Sequence, residues 1–144
     1  MKNIVASLEY WNNYLYFRGL DNNTISIEAI ENPGWWIKIN LSNTDFENIR
    51  FVPIITNIDP ENGGENNSEN WLCCYIKDKI FNGCGSINKL STIIEIFFNW
   101  IEEHGYDESK YVKVAIKKPP IPLEGFNIWS FCIKNKYIPI VDKY

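Results

Sequence analysis

Two alternating segments on either side of a turn signal constrain the fold of this chain more than any other feature. Residues 24–30 alternate between apolar and polar side chains, and residues 35–41 do the same. Asn32, Pro33 and Gly34 lie between them. Alternation with a period of two is typical of strands that bury one face, and a Pro-Gly turn allows two such strands to pair. The sequence therefore predicts an antiparallel hairpin.

Two further segments carry apolar residues at helical spacing. Residues 4–17 repeat their apolar side chains every three or four positions, and Gly19 follows them as a stop. Residues 87–103 show the same spacing, with Ser86 as a candidate N-cap and Gly105 as a stop. This spacing places the apolar side chains on one face of a helix. We therefore predict two amphipathic helices.

Two more strands are predicted, over residues 51–58 and residues 71–76. Pro53 lies within the first of them and cannot donate a backbone hydrogen bond, which indicates an edge strand or a bulge. Gly83 and Gly85 are interpreted as turn glycines in a link that leads into the second helix. Together these elements predict an α+β fold, with a mostly antiparallel sheet and two main helices packed on it.

The length of the chain fits one domain. A chain of 144 residues can bury a sizeable core without disulfide or metal staples. Residues 104–144 return to alternating apolar and polar side chains around a Pro-rich connector. We therefore predict a single domain over residues 1–144, in which residues 104–144 form a C-terminal β extension.

The composition argues against two classes of partner. The chain has 14 basic and 18 acidic side chains, a formal charge of −4, whereas proteins that bind a phosphate backbone usually present a basic stripe. No apolar run approaches the roughly 20 residues of a membrane span. The N-terminal residues lack the unbroken apolar stretch of a signal peptide. We therefore expect a cytoplasmic protein that binds neither nucleic acid nor membrane.

Few residues could carry chemistry. His104 is the single histidine, and the four cysteines show no Cys-x-x-Cys spacing. No phosphate-binding glycine motif and no Ser-His-Asp arrangement can be recognised. The sequence therefore predicts no metal, no cofactor and no catalytic residue, and free thiols in a reducing compartment.

Two other functions stay open. A small hydrolase that uses an acidic pair would need a pocket with two or more carboxylates, or a thiol with a shifted pKa. A sugar-binding or small-ligand module would need an exposed aromatic ring on a concave surface.

Two features could contact a partner protein. Residues 59–70 form the one long polar segment, with four acidic and no basic residues. Trp35 and Trp36 are consecutive on a predicted strand, so their side chains point to opposite faces of the sheet. One of the two is therefore available as an anchor, since Trp is enriched at binding hot spots. The sequence does not decide which one, and the acidic segment could also serve only to keep the chain soluble.

The order of several short motifs resembles a known family. In chain order the motifs are the turn Asn32-Pro33-Gly34-Trp35, the strand Ile37-Lys38-Ile39-Asn40-Leu41, Thr44-Asp45-Phe46-Glu47, Trp71-Leu72-Cys73, the link Phe81-Asn82-Gly83-Cys84-Gly85, and Asn88-Lys89-Leu90 before Ile94, Phe97 and Trp100. Over about residues 7–103 their order and spacing resemble the immunity protein 53 family of bacterial polymorphic toxin systems.

The resemblance implies a non-catalytic immunity protein, which binds and neutralises one cognate toxin domain. Inhibitors of this kind commonly set acidic side chains against a basic cleft, because complementary charge speeds the encounter. The predicted contact residues are Trp36, Asp59, Glu61, Glu65 and Glu69. The sequence leaves the identity of the toxin and the oligomeric state open.

Overall fold

The computed structural model of the chain describes residues 2–20, 22–31, 33–58 and 69–112. These residues belong to one compact unit, Met1–Lys113. The helices and strands, in chain order, are α1 (Ile4–Phe17), β1 (Ile25–Ile30), β2 (Gly34–Asn40), β3 (Ile54–Thr56), β4 (Leu72–Lys77), β5 (Ile80–Ser86), α2 (Leu90–Glu103) and a short 3₁₀-helix (Glu108–Tyr111).

The five strands form one antiparallel sheet in the order β1-β2-β5-β4-β3. The predicted hairpin is β1 and β2, and its closing pair is Ile30 with Gly34. A two-residue turn joins β4 to β5, and both of its residues, Asp78 and Lys79, have positive φ angles of 53° and 63°. Positive φ at both positions matches the twist of the paired strands. The observed architecture confirms the predicted α+β fold.

Both helices end in the same way. Gly19 after α1 and Gly105 after α2 have φ angles of 68° and 99°, in the left-handed region that glycine adopts without a steric penalty. The amide of the next residue, Leu20 or Tyr106, donates to the carbonyl oxygen five positions earlier, at 2.8 and 3.0 Å. This Schellman arrangement turns the chain back toward the core. The two predicted helix stops are therefore confirmed.

An aromatic cluster joins the two helices to one face of the sheet. Trp11 of α1 is fully buried, and its ring centroid lies 5.2 Å from that of Phe97 in α2. The Phe97 ring lies 5.2 Å from Phe81 of β5. Trp11 also contacts the rings of Phe46 and Tyr106. Tilted and edge-to-face ring pairs of this kind stabilise a core beyond the area that they bury. We call the sheet face beneath both helices the helix face.

The structure corrects the interpretation of two glycines. Gly83 and Gly85 were predicted to be turn residues, but both lie in β5, the central strand of the sheet. A Cβ atom at Gly83 would lie 2.2 Å from Cγ2 of Ile93, and one at Gly85 would lie 2.8 Å from Cβ of Lys89. Glycine is therefore required here because helix α2 packs directly onto the strand backbone.

The predicted turn over residues 32–35 is also corrected in part. Pro33 lies in the turn, and Asn32 is outside the described residues. Gly34 and Trp35 are the first two residues of β2, because the pairing with β1 already begins at Gly34. A Cβ at Gly34 would lie 2.2 Å from the carbonyl oxygen of Gly85, so this position also needs glycine for a close backbone approach.

Two element boundaries differ from the prediction. Helix α2 begins at Leu90, and Ser86 is not its N-cap but the last residue of β5. The strand predicted over residues 51–58 is shortened to Ile54–Thr56, directly after Pro53. Its predicted position at an edge of the sheet is confirmed.

The predicted C-terminal extension concerns residues 104–144, of which residues 113–144 lie outside the described part of the chain. The described part of this segment contains the 3₁₀-helix Glu108–Tyr111. The β extension and the single domain over residues 1–144 therefore stay predictions.

We expect Gly83→Ala to lower the free energy of unfolding by about 2 kcal/mol or more, because the added methyl group overlaps the side chain of Ile93. Urea unfolding followed by circular dichroism measures this change. In an Ile93→Ala background the nearest atom of residue 93 is its Cβ at 3.5 Å, an ordinary contact. The tightest remaining contact is then Cε1 of Phe81 at 3.2 Å, so the cost of Gly83→Ala should fall by about 1 kcal/mol or more. An equal cost in both backgrounds would contradict the proposed helix–strand contact.

Candidate interaction surface

The sheet face opposite the two helices presents two rows of cross-strand neighbours. The strand register aligns residues of β1, β2, β5 and β4 side by side, and alternate residues of each strand point to this side. We call these residues the outer face. The first row is Glu28, Trp36, Cys84 and Cys73, and the second is Ser26, Lys38, Asn82 and Tyr75.

Trp36 is the largest side chain of the outer face, and its orientation is fixed. Its indole Nε1 donates to Oδ1 of Asn82 at 3.2 Å. Asn82 is itself buried, and its Nδ2 donates to the carbonyl oxygen of Ile80 at 3.1 Å. The Nζ atom of Lys38 lies 4.0 Å from the centroid of the Trp36 ring. A half-buried aromatic ring that is held in one orientation loses little entropy when a partner binds it.

Trp35 points to the other side of the sheet. It belongs to the alternate set of β2 residues that includes Ile37, a core residue on the helix face. Its Nε1 donates to the carbonyl oxygen of Ile87 at 3.0 Å. The packing of the helices therefore decides the choice that the sequence left open, and Trp36 is the tryptophan on the outer face.

The end of the acidic segment lies beside the same part of the sheet. Glu69 is exposed, and its carbonyl oxygen accepts a hydrogen bond from the hydroxyl group of Ser86. Ser86 is two residues beyond the cross-strand neighbour of Trp36 and points to the same face. The Cζ2 atom of Trp71 lies 3.1 Å from the position of a Cβ at Gly34, so a second indole ring covers this end.

The structure thus brings together two of the five predicted contact residues. Trp36 and Glu69 lie near the same end of the sheet. The remaining three, Asp59, Glu61 and Glu65, are outside the described residues. Their role as contacts stays a prediction.

Two charged residues of the outer face were missed at the sequence level. Glu28 lies directly opposite Trp36 in the β1–β2 register, and it is exposed. Lys38 lies next to the Trp36 ring on the same strand. Counting outward from a closing pair of Ile30 and Gly34 would have placed Glu28 opposite Trp36. The sequence signal existed, but it required the closing pair of the hairpin to be known.

The cysteines near this surface are poor nucleophiles. Cys73 and Cys84 are half-buried neighbours on the outer face, and Cys74 is buried on the helix face. Burial raises the pKa of Cys84 to about 11 and the pKa of Cys74 to about 12. Since the thiolate is the reactive form, both side chains are protonated near neutral pH. Burial also raises the pKa of Cys73, so none of these three thiols has the lowered pKa that activates a cysteine nucleophile.

A separate groove of about 630 Å³ lies between α2 and the segment that precedes β3. Trp100 forms part of its wall and donates from Nε1 to the carbonyl oxygen of Arg50 at 3.1 Å. Its titratable lining residues are Arg50, Glu103 and His104, so it contains one carboxylate and not the pair that the hydrolase alternative needs. Within the described ranges, no group of three His, Cys, Asp or Glu residues could hold a metal ion. No helix in the described part of the chain is long and apolar enough to cross a membrane.

The comparison with protein families agrees with the resemblance seen in the motifs. The family model described as Immunity protein 53 matches residues 19–102, which is more than half of the chain. The match includes all five strands of the sheet and nearly all of α2, and it therefore contains the outer face. No curated protein and no solved structure matches the chain.

We expect Cys84 to react slowly with iodoacetamide in the folded protein. Burial raises its pKa from 9.0 to about 11, so the thiolate fraction at pH 8 falls about a hundredfold. The rate should then rise about tenfold for each pH unit up to about 11. Peptide mass mapping of the alkylated protein measures this rate, with the urea-unfolded chain as the control. Fast alkylation of Cys84 in the folded protein would contradict the expectation and would favour the hydrolase alternative.

Proposed function

Because the chain belongs to the Immunity protein 53 family, we propose that it is a non-catalytic immunity protein that binds and neutralises a cognate bacterial toxin domain. The family match is the observation that carries this proposal. We place the protein in the cytoplasm of the bacterial cell that makes it, where the toxin would otherwise act. Inhibition of this kind needs binding free energy and surface complementarity, and it needs no reacting group of its own.

We propose the outer face as the surface that binds the toxin. Trp36 supports this assignment because it is a half-buried ring held by Asn82, and fixed aromatic residues dominate the energetics of protein interfaces. Trp71 supplies a second indole at the same end of the sheet. Glu69 supports the choice of a toxin with a basic cleft, since complementary charge increases the rate of association.

The interface must extend beyond Trp36. A Kd of about 1 nM corresponds to a binding free energy of about −12.3 kcal/mol. Specific interfaces of this strength usually bury about 800 Å² on each partner, and one side chain provides only a part of that area. We therefore propose that the acidic residues predicted as contacts, Asp59, Glu61, Glu65 and Glu69, also contact the toxin.

A sugar-binding or small-ligand function is the second candidate. It is favoured by one observation, since the Trp71 ring lies beside Gly34 at the same end of the sheet as Trp36, and indole rings stack well on sugars. A saturable change in tryptophan fluorescence on addition of a sugar would support this function. No such change, together with tight binding of the toxin, would support the immunity function.

Co-expression with the toxin domain encoded beside this gene tests the proposal. We expect the wild-type chain to restore growth and to form a stable complex, because the toxin is held inactive in the complex. Calorimetry on the purified domains measures its Kd. If the wild-type chain neither restores growth nor forms a stable complex, the proposed function is overturned.

We expect Trp36→Ala to weaken toxin binding by about 2 kcal/mol or more, roughly thirtyfold in Kd, because a fixed ring at the interface is removed. Tyr16→Ala is the matched control, since Tyr16 is an aromatic residue that is 51% exposed but lies on α1. The control should bind as the wild type does. Equal affinities for all three proteins would exclude Trp36 from the interface.

A further inference from the structure

The ring of Trp36 already has a cation beside it. The ammonium group of Lys38, two residues further along β2, lies 4.0 Å from the ring centroid. The face of an indole ring carries negative potential and attracts cations within about 6 Å. Because both side chains point to the outer face, this contact lies within the surface assigned to the toxin. The ring therefore already makes a cation–π contact in the free protein.

An acidic residue lies opposite Trp36 on the neighbouring strand. Glu28 is the direct cross-strand partner of Trp36, and such partners on one face have Cβ atoms about 4.5–5.5 Å apart. Glu28 accepts a hydrogen bond from the hydroxyl group of Ser26 at 3.0 Å. Among the described residues it makes no ion pair. No cation of the described residues therefore neutralises its negative charge.

Lys38 makes only one of the two contacts that this site offers a cation, since it contacts the Trp36 ring but no carboxylate in the described part of the chain. Lys38 is opposite Ser26 in the register and diagonal to Glu28, and no carboxylate of the described residues lies within 4.0 Å of its Nζ. A guanidinium group is planar, so it can stack on an indole while it donates hydrogen bonds in its own plane to a carboxylate. A ring and a carboxylate side by side therefore fit arginine better than they fit Lys38.

The Trp36 ring is also held in one orientation in the free protein. Asn82 fixes the indole through its Oδ1 atom and is itself fixed by its bond to the backbone of Ile80. The whole chain carries a formal charge of −4, so its average field attracts a basic partner. Both properties favour a partner that presents a cationic side chain to this point of the outer face.

We infer that Trp36 and Glu28 together bind an arginine side chain of the toxin, and that Lys38 occupies the ring in the free protein and is displaced on binding. The inference rests on the proposed function and names the chemistry that the toxin presents. Lys38 competes with the toxin arginine for the Trp36 ring. Replacing Lys38 therefore strengthens toxin binding, whereas replacing an ordinary contact residue weakens it.

The experiment measures the Kd of the toxin domain for two variants of the full chain. Lys38→Met keeps an unbranched side chain that is one atom shorter and removes the competing charge, so binding should become about threefold to tenfold tighter. Glu28→Gln should weaken binding about tenfold, because the arginine loses its carboxylate. Both measurements are made at about 0.15 M salt, where distant charges are largely screened.

Two control variants make the same changes of charge elsewhere. Lys110→Met alters an exposed residue of the 3₁₀-helix, and Glu95→Gln alters an exposed residue of α2. Each should change the Kd less than about twofold, since exposed charges away from the interface contribute little. If Lys38→Met and Lys110→Met change the Kd equally, the change is explained by net charge alone and the inference is overturned.

The displacement of Lys38 has its own spectroscopic signature. Because Nζ of Lys38 lies 4.0 Å from the Trp36 ring centroid, the adjoining ε-methylene protons should be shifted upfield in the proton NMR spectrum of the free protein. In the complex these resonances should return toward the values of an exposed lysine. Unchanged resonances in a complex that forms normally would overturn the displacement.

The outcomes separate this inference from the proposed function. If the wild-type chain does not bind the toxin, the proposed function fails. If the wild-type chain binds and Lys38→Met weakens the complex, Lys38 contacts an acidic group of the toxin and the inference fails. If the wild-type chain binds and Glu28→Gln has no effect, the inference fails as well. Tighter binding by Lys38→Met and weaker binding by Glu28→Gln support it.

Discussion

The close approach of helix α2 to the central strand β5 is the contact on which the rest of the structure depends. Ile93 occupies the space that a side chain at Gly83 would need, so the helix lies directly against the backbone of the sheet. This contact determines which face of every strand is buried. Trp36 lies on the outer face because its neighbour Trp35 belongs to the side that the helix covers. The position of the candidate surface thus depends on the absence of side chains at Gly83 and Gly85 in β5.

Local patterns were sufficient to predict several elements. The extent of α1 and the stops at Gly19 and Gly105 follow from apolar spacing and from the conformational freedom of glycine, both of which are properties of neighbouring residues. Gly83 and Gly85 were misassigned because the helix that requires them packs on them from another part of the fold. A glycine in a short segment indicates a turn and a close contact equally well, and only the packing partner distinguishes the two.

The candidate surface was predictable to a smaller degree. The sequence showed that Trp35 and Trp36 face opposite sides of a strand, but the side covered by helices depends on tertiary packing. Glu28 and Lys38 were missed because their relation to Trp36 requires the cross-strand register, which a hairpin prediction without a known closing pair does not give. Glu69 was predicted from charge alone, and its place beside this end of the sheet depends on a hydrogen bond to Ser86.

The two faces of the sheet have different tolerances for change. Residues of the helix face, such as Ile37 and Phe81, interlock with two helices, and their replacement disturbs the whole core. In the described part of the chain, Glu28 and Lys38 contact Ser26 and the Trp36 ring on the outer face, so we expect new residues there to leave the packing beneath unaltered. One thickness of polypeptide therefore separates the part that keeps the chain folded from the surface that we propose as the toxin-binding face. A change of binding specificity would then require the exchange of side chains on one surface, without a new fold.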